Sequence, residues 1–168
     1  MRCFNINSEN GNFDTIIYIQ GKHKNSHRKL NNITKCAWAY IIDRRDKNKV
    51  IPKEGTVEKG QSWYEMSLIA LIKAMENLIG LQLNKTHLLF VSDEQSFTTA
   101  LVNLETDDNV DKKKYSFEWK KIKSLLNKFP NSEILFLKKD DEDLESVFPE
   151  YYTRLSEVKN NLHNILDK

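Results

Sequence analysis

The stretch TIIYIQGKHK ends an apolar run with Gln20 and a glycine and then continues into cations. A buried strand that ends in this way usually delivers its last polar side chain to a binding or catalytic site. Divalent-metal chemistry would require a carboxylate there, because Mg²⁺ prefers anionic oxygen ligands, whereas Gln20 carries an amide. The pattern predicts a site at the end of this strand and raises the question of why its last polar residue is uncharged.

Two acidic residues stand near serines at the predicted starts of helices. Glu65 comes three residues after Ser62, and Gln95 comes three residues after Ser92, with Asp93 between them. Ser followed three residues later by Glu or Gln is the capping-box pattern, which explains these residues without any metal. Glu65 and Asp93 are nevertheless site candidates, because both helix starts are expected to converge on the end of the first strand.

Basic residues are clustered, although the net charge of the 168-residue chain is only +2. Residues 15–42 contain no Asp or Glu, and lysine dominates residues 112–139. Such segregated cations can neutralise several phosphates, which predicts contact with nucleic acid. The acidic run 140–150 is expected to be a solvated loop, with a substitute metal ligand as the alternative. The basic residues expected to bind nucleic acid are Lys22, Lys24, Arg28, Lys29, Lys120 and Lys121.

Other residue types that bind metals form no recognisable motif. Cys3 and Cys36 stand far apart without a CxxC pairing, which predicts neither a zinc site nor a disulfide framework. His23 and His27 are four residues apart in the basic stretch without a partner carboxylate, so we expect surface residues rather than ligands. The chain has no leader-like start and no apolar run of membrane length, so no membrane association and a cytoplasmic location are expected.

Hydrophobic periodicity predicts the elements that must position these residues. Strands are predicted at residues 15–20, 36–42, 50–51, 87–91 and 132–139, the first three as an antiparallel meander. Helices are predicted at about residues 60–80, from residue 92, at 115–129 and at about 149–166. Residues 1–12 are expected to be a loose lead-in and residues 13–168 a single domain. All three tryptophans, Trp38, Trp63 and Trp119, are expected to pack.

This order of elements resembles that of type 1 ribonuclease H. The likeness runs from about residue 15 to about residue 161 and is carried by YIQGK, SWYEMSLIALIKAMENL, FVSDEQSF and FEWKKIKSLL followed by ILFLKK. It implies an α/β, ribonuclease H-like fold: a five-stranded mixed sheet, three antiparallel strands then two parallel, with helices on both faces. It also implies an RNA/DNA hybrid or a duplex as the partner.

The resemblance further implies a centre for two Mg²⁺ ions held by carboxylates at strand ends and on the facing helix. Glu65 matches the helix carboxylate of that family, and Asp93 matches the carboxylate that closes the central strand. Gln20 stands where the first-strand Asp of the family is expected. Three registers remain open for the final-helix carboxylate, at Glu150, Arg154 or Glu157.

Three interpretations of function follow from this resemblance and from the uncharged Gln20 at the position of the expected Asp. The leading one is a ribonuclease H-like nucleic-acid-binding domain whose degenerate site holds one Mg²⁺ ion or none and is weak or inactive as a nuclease. The second is an active hybrid endonuclease in which a carboxylate from the acidic run or the final helix restores the charge. The third is a scaffold without catalysis that binds a protein, for example within a reverse transcriptase assembly.

Overall fold

The computed structural model describes residues 1–6, 11–23, 35–57 and 62–168. Its strands are β1 (Arg2–Cys3), β2 (Thr15–His23), β3 (Cys36–Arg44), β4 (Lys49–Val57), β5 (Leu88–Ser92) and β6 (Ser132–Phe136). Its α-helices are α1 (Trp63–Gly80), α2 (Gln95–Asn103), α3 (Ser116–Leu126), α4 (Glu142–Val147) and α5 (Pro149–Leu166). Among the residues described, no helix has both the length and the apolar character needed to cross a membrane.

The strands form one mixed sheet in the order β1-β6-β5-β2-β3-β4. Strands β2, β3 and β4 are antiparallel neighbours, whereas β2, β5, β6 and β1 run parallel. Tyr18 of β2 is in register with Val91 of β5. Since the two strands run in the same direction, Gln20 and Asp93, each two residues further along, come to the same end of the sheet.

Apolar side chains cover both faces of this sheet. Ile17 of β2 packs on one face with Leu68 of α1 and Trp119 of α3. Ile16 packs on the opposite face with Leu155 of α5. Burial of both faces explains why β2 is a continuous apolar run in the sequence. The prediction of an α/β fold with a mixed sheet and helices on both faces is confirmed.

A sixth strand comes from the segment that was expected to be a lead-in, so the prediction of five strands is one short. Arg2 and Cys3 pair in parallel with Glu133 and Ile134 of β6. Phe4 N donates to Ile134 O at 2.8 Å, and the Phe4 side chain is buried. Two residues are too few to display an alternation in sequence, and burial of Phe4 is a tertiary contact that the sequence does not reveal.

The start of α1 agrees with its predicted cap, but the start of α2 does not. Ser62 Oγ accepts a hydrogen bond from Glu65 N at 3.1 Å, as the capping pattern predicts. Ser92 Oγ instead accepts from Glu94 N at 3.2 Å, in the turn before α2 begins at Gln95. Asp93 and Glu94 therefore belong to the turn that links β5 to α2, where their side chains can meet groups from other elements.

Two further predictions are corrected. The acidic run 140–150 contains helix α4, whose start is capped by Asp141 accepting from Leu144 N at 3.1 Å. Acidic residues in its first turn favour this helix, because they interact with the positive end of the helix dipole. His23 is buried rather than exposed, because β2 continues three residues past its predicted end. His27 lies outside the described residues.

Candidate functional site

Asp93 follows β5 directly and lies beside the end of β2, with 3% of its side chain exposed. Asp93 Oδ1 accepts a hydrogen bond from Gln20 Nε2 at 2.6 Å. Gln20 is itself buried. The structure therefore brings these two predicted site residues together, with the amide of Gln20 acting as a hydrogen-bond donor to the carboxylate.

Two lysines supply positive charge at Asp93. Lys159 of α5 donates to Asp93 Oδ2, and Lys139, which follows β6, has its Nζ 3.6 Å from the same oxygen. Burial alone would raise the pKa of Asp93, but the hydrogen bonds from Lys159 and Gln20 and the charges of both lysines outweigh it and lower the pKa. Neither lysine was among the residues predicted for this site. Lys159 directly follows Val158 of the predicted apolar seam, and that position was the available signal of a half-buried lysine.

A second carboxyl group, that of Glu94, adjoins Asp93. Ser67 Oγ lies 2.8 Å from Glu94 Oε2 and 3.1 Å from Trp63 O. Burial raises the pKa of Glu94 to about 8 against the opposing hydrogen bond from Ser67, and the negative charge of Asp93 adds to the rise. A hydroxyl carries one hydrogen, so Ser67 Oγ shares its donation between Glu94 Oε2 and Trp63 O. Burial therefore favours the protonated, neutral form of Glu94.

Glu94→Gln is expected to weaken the dependence of stability on pH. A carboxyl pKa of about 8 in the folded state, above its ordinary 4.5, means that folding holds a proton which the unfolded chain loses. Stability is then full below pH 4.5 and falls as the pH rises through 8, with a slope of up to about 1.4 kcal/mol per pH unit. Urea unfolding of both proteins across this range measures the slope. The exposed Glu54→Gln is the control and should keep the wild-type slope; equal slopes in all three proteins would contradict the assignment.

Glu65, the predicted ligand on α1, has a different orientation from Ser67. Successive residues of a helix are about 100° apart, so residues 65 and 67 point about 200° apart around the axis. Ser67 contacts Glu94, whereas the carboxylate of Glu65 acts on the thiol of Cys36, whose pKa is raised first by burial and then by Glu65. The α1 side chain at the acidic pair is Ser67, and the metal role of Glu65 stays a prediction.

The final helix brings Lys159 to Asp93, where a carboxylate was expected. Glu157 lines a cavity of about 560 Å³ together with Asp93 and Lys159. Its carboxylate is paired with Arg154, with Nη1 and Oε2 2.9 Å apart. Glu150 forms an ion pair near the start of α5. Of the three registers considered, Glu157 is the acid that shares a cavity with Asp93, and its charge is balanced by Arg154.

The donors of this centre do not fit a pair of magnesium ions. Both oxygens of Asp93 accept hydrogen bonds, and two ammonium groups stand next to one of them. Gln20 turns its N–H toward Asp93, and neutral Glu94 brings no charge. Among the described residues, no group of three His, Cys, Asp or Glu side chains is arranged to hold a metal ion. The charge of Asp93 is balanced by lysine.

An exposed tryptophan links this centre to a second cavity. A cavity of about 470 Å³ beside Asp93 has Gln20, Lys22 and Lys139 in its wall. A neighbouring cavity of about 390 Å³ is lined in part by Lys113, Lys114 and Tyr115. Trp63 lines both cavities and is 38% exposed. This exposure corrects the prediction that Trp63 packs, and it results from its position as the first residue of α1, ahead of the buried face.

The six residues predicted to bind nucleic acid lie in different parts of the chain. Lys22 lines the cavity beside Asp93. Lys120 and Lys121 are on α3 and half-exposed, where they pair with Asp111 and Glu76. Exposed ion pairs of this kind are weak and can be exchanged for phosphate. The remaining three, Lys24, Arg28 and Lys29, lie outside the described residues.

Comparison with known proteins finds likeness in three-dimensional structure. No family model matches the chain, and no curated protein matches it. The protease-reverse transcriptase of prototype foamy virus superposes with a TM-score of 0.69 at 10% identity, over 91% of this chain and 21% of that one. The ribonuclease H domain of that virus superposes with a TM-score of 0.63 at 14% identity, over 88% of this chain and 93% of that domain. LC11-RNase H1, isolated from compost by a metagenomic approach, superposes with a TM-score of 0.60 at 16% identity, over 91% of this chain and 98% of that one.

These likenesses define the class of the domain: the chain has the ribonuclease H-like fold. It spans about a fifth of the length of the viral protease-reverse transcriptase chain and nearly all of the isolated ribonuclease H domain. At identities of 10–16% the likeness shows the fold alone. The resemblance read from the sequence is confirmed at that level.

Proposed function

We propose that this chain is a ribonuclease H-like domain that binds an RNA/DNA hybrid or a duplex and is weak or inactive as a nuclease. Structural neighbours support the binding part, because their structures include a foamy viral protease-reverse transcriptase in complex with dsDNA and with RNA/DNA hybrid, and LC11-RNase H1 in complex with RNA/DNA hybrid. The contacts of Asp93 support weak or absent nuclease activity, since its charge is already balanced by lysine.

The observation that carries the proposal is the surface around Trp63. Its exposed ring joins two cavities, one with Lys22 and Lys139 and the other with Lys113 and Lys114. Lysines that follow a backbone of phosphates supply affinity without reading sequence. An exposed aromatic ring between them can pack against a base or a sugar. We name this surface, formed by Trp63 and these four lysines, the Trp63 strip.

The test measures binding of labelled RNA/DNA hybrid and dsDNA over a range of salt concentrations. Lys113→Gln/Lys114→Gln is expected to weaken binding and to reduce the slope of log affinity against log salt by about 1 for each lysine removed. The matched control is Lys47→Gln/Lys49→Gln, which removes the same charge from exposed positions where β3 turns into β4, at the opposite end of β2 from Gln20. The control should bind as the wild type does.

Two outcomes would contradict the proposal in different ways. Failure to bind either nucleic acid would favour the scaffold interpretation, in which the domain binds a protein within a larger assembly. Mg²⁺-dependent cleavage of the hybrid by the wild type, abolished by Asp93→Asn, would establish an active endonuclease. In that case a carboxylate such as Glu157 would have to supply the missing charge.

A further inference from the structure

Lys159 is placed where a cation must stand in order to neutralise Asp93. Its Nζ contacts Asp93 Oδ2, and about a third of its side chain is exposed, against 3% for Asp93. The lysine reaches this carboxylate from α5, which crosses the same face of the sheet as Tyr18 and Val91. The ammonium group therefore lies at the mouth of the centre, between the carboxylate and solvent.

The Gln20 amide has the orientation expected when a cation, here Lys159, already neutralises Asp93. A carboxylate accepts hydrogen bonds and donates none when ionised, so the Gln20 amide must turn its N–H group toward Asp93 Oδ1. Its carbonyl oxygen, the atom that would ligate a metal, is then directed away from that contact. Asp93 thus accepts from an amide on one oxygen and from an ammonium group on the other.

We propose that Lys159 replaces the divalent metal of this centre, so that the Asp93 cleft excludes Mg²⁺ and contacts nucleic acid without it. A divalent ion at Asp93 would stand next to the Lys159 and Lys139 ammonium groups, and like charges at such short range repel strongly in a partly buried site. Substitution of Gln20 alone does not remove the obstacle.

The test compares the wild type, one single variant and two double variants by calorimetric titration with Mn²⁺ in the absence of nucleic acid. Wild type is expected to show no binding, and Gln20→Asp only weak binding. Gln20→Asp/Lys159→Met, which opens two facing carboxylates, is expected to bind Mn²⁺ at least about tenfold more tightly than Gln20→Asp. The matched control is Gln20→Asp/Lys139→Met: Lys139 faces the same oxygen of Asp93 but is 67% exposed, so its removal should change little.

Three results would overturn the inference: binding of Mn²⁺ by the wild type, equal binding by Gln20→Asp and Gln20→Asp/Lys159→Met, or no binding by the folded Lys159 double variant. Circular dichroism and thermal unfolding establish that each variant is folded. If the double variant does not fold, the wild type still decides the matter. Its affinity for hybrid at constant ionic strength should be equal in Mg²⁺ and in EDTA, and a dependence on Mg²⁺ would refute the role of Lys159.

The nucleic-acid arm of this experiment rests on the proposed function, whereas the Mn²⁺ titration does not. A domain that binds no nucleic acid and also excludes Mn²⁺ would contradict the proposed function and leave the lysine substitution supported. A domain that binds hybrid only with Mg²⁺ would support the proposed function and contradict the role of Lys159. The two proposals therefore fail separately.

Discussion

Gly21→Ala is expected to lower the free energy of unfolding by about 3 kcal/mol or more, at the upper end for overpacking. A Cβ at this position would lie 2.4 Å from both Ser67 N and Trp63 O and 2.7 Å from Met66 C. All three are backbone atoms of α1, so no side-chain rotation relieves the contact. Strand β2 and helix α1 would have to separate, which would also displace Gln20 from Asp93. Denaturant unfolding measures the loss.

Gly80→Ala is the control for this prediction. Gly80 is the last residue of α1, and a Cβ there meets nothing within 4 Å. Alanine in a helix is favoured over glycine by about 0.5–1 kcal/mol, so the control should be neutral or slightly more stable than wild type. If Gly21→Ala matched Gly80→Ala in stability, the close approach of β2 to α1 would be incorrect.

Asp93→Asn is expected to lower the free energy of unfolding by about 2 kcal/mol, less than for a fully buried pair because Lys159 is partly exposed. Asp93 accepts hydrogen bonds on both oxygens. Asparagine removes the charge that pairs with Lys159, and its N–H group would face the Gln20 N–H unless the Gln20 amide turned over. Unfolding of Asp93→Asn, Lys159→Met and the double variant gives a cycle in which the two losses should not add. Lys139→Met, at a more exposed contact, should change stability by less than about 0.5 kcal/mol.

The pH dependence of this loss provides a second check. Hydrogen bonds from Lys159 and Gln20, which outweigh burial, lower the pKa of Asp93 below its ordinary 3.8. A carboxyl pKa that is lower in the folded state than in the unfolded state stabilises the protein at pH values above the unfolded-state pKa. That stabilisation is lost as the pH falls through the folded-state pKa. The difference between wild type and Asp93→Asn should therefore shrink below pH 3.8. A constant difference in acid would mean that Asp93 does not interact with Lys159 as a charge.

The two acidic neighbours at the end of β5 thus affect stability in opposite directions. Asp93 is kept charged by lysine and an amide, and its contribution is lost in acid. Glu94 is kept neutral by burial, and its contribution is lost as the pH rises through about 8. The centre should be most stable at pH values from 3.8 to 4.5, above the acid loss from Asp93 and below the pH at which the contribution of Glu94 begins to fall, and there it holds one negative charge beside two ammonium groups. Such a centre suits a phosphate backbone better than it suits metal ions.

The sequence by itself determined most of the elements, although not β1 and α4, and it indicated the position of the centre. The continuous apolar run in TIIYIQ and the helical spacing in residues 63–80 are local patterns, so they predicted β2 and α1 without reference to partners. The same local logic placed Gln20 and Asp93 at strand ends. Because parallel strands end on one side of a sheet, these two residues were expected to meet, and they do.

Tertiary structure alone decided what surrounds Asp93. Lys159 is 66 residues away in the chain, and its contact depends on where α5 crosses the sheet. The choice of Ser67 over Glu65 depends on how α1 is rotated about its axis, which the close packing of Gly21 sets. Side-chain periodicity reports which face of an element is buried, but the partner of a polar residue at its end depends on the packing of elements distant in sequence. For that reason the uncharged residue at position 20 was visible in the sequence, whereas the lysine that balances Asp93 was not.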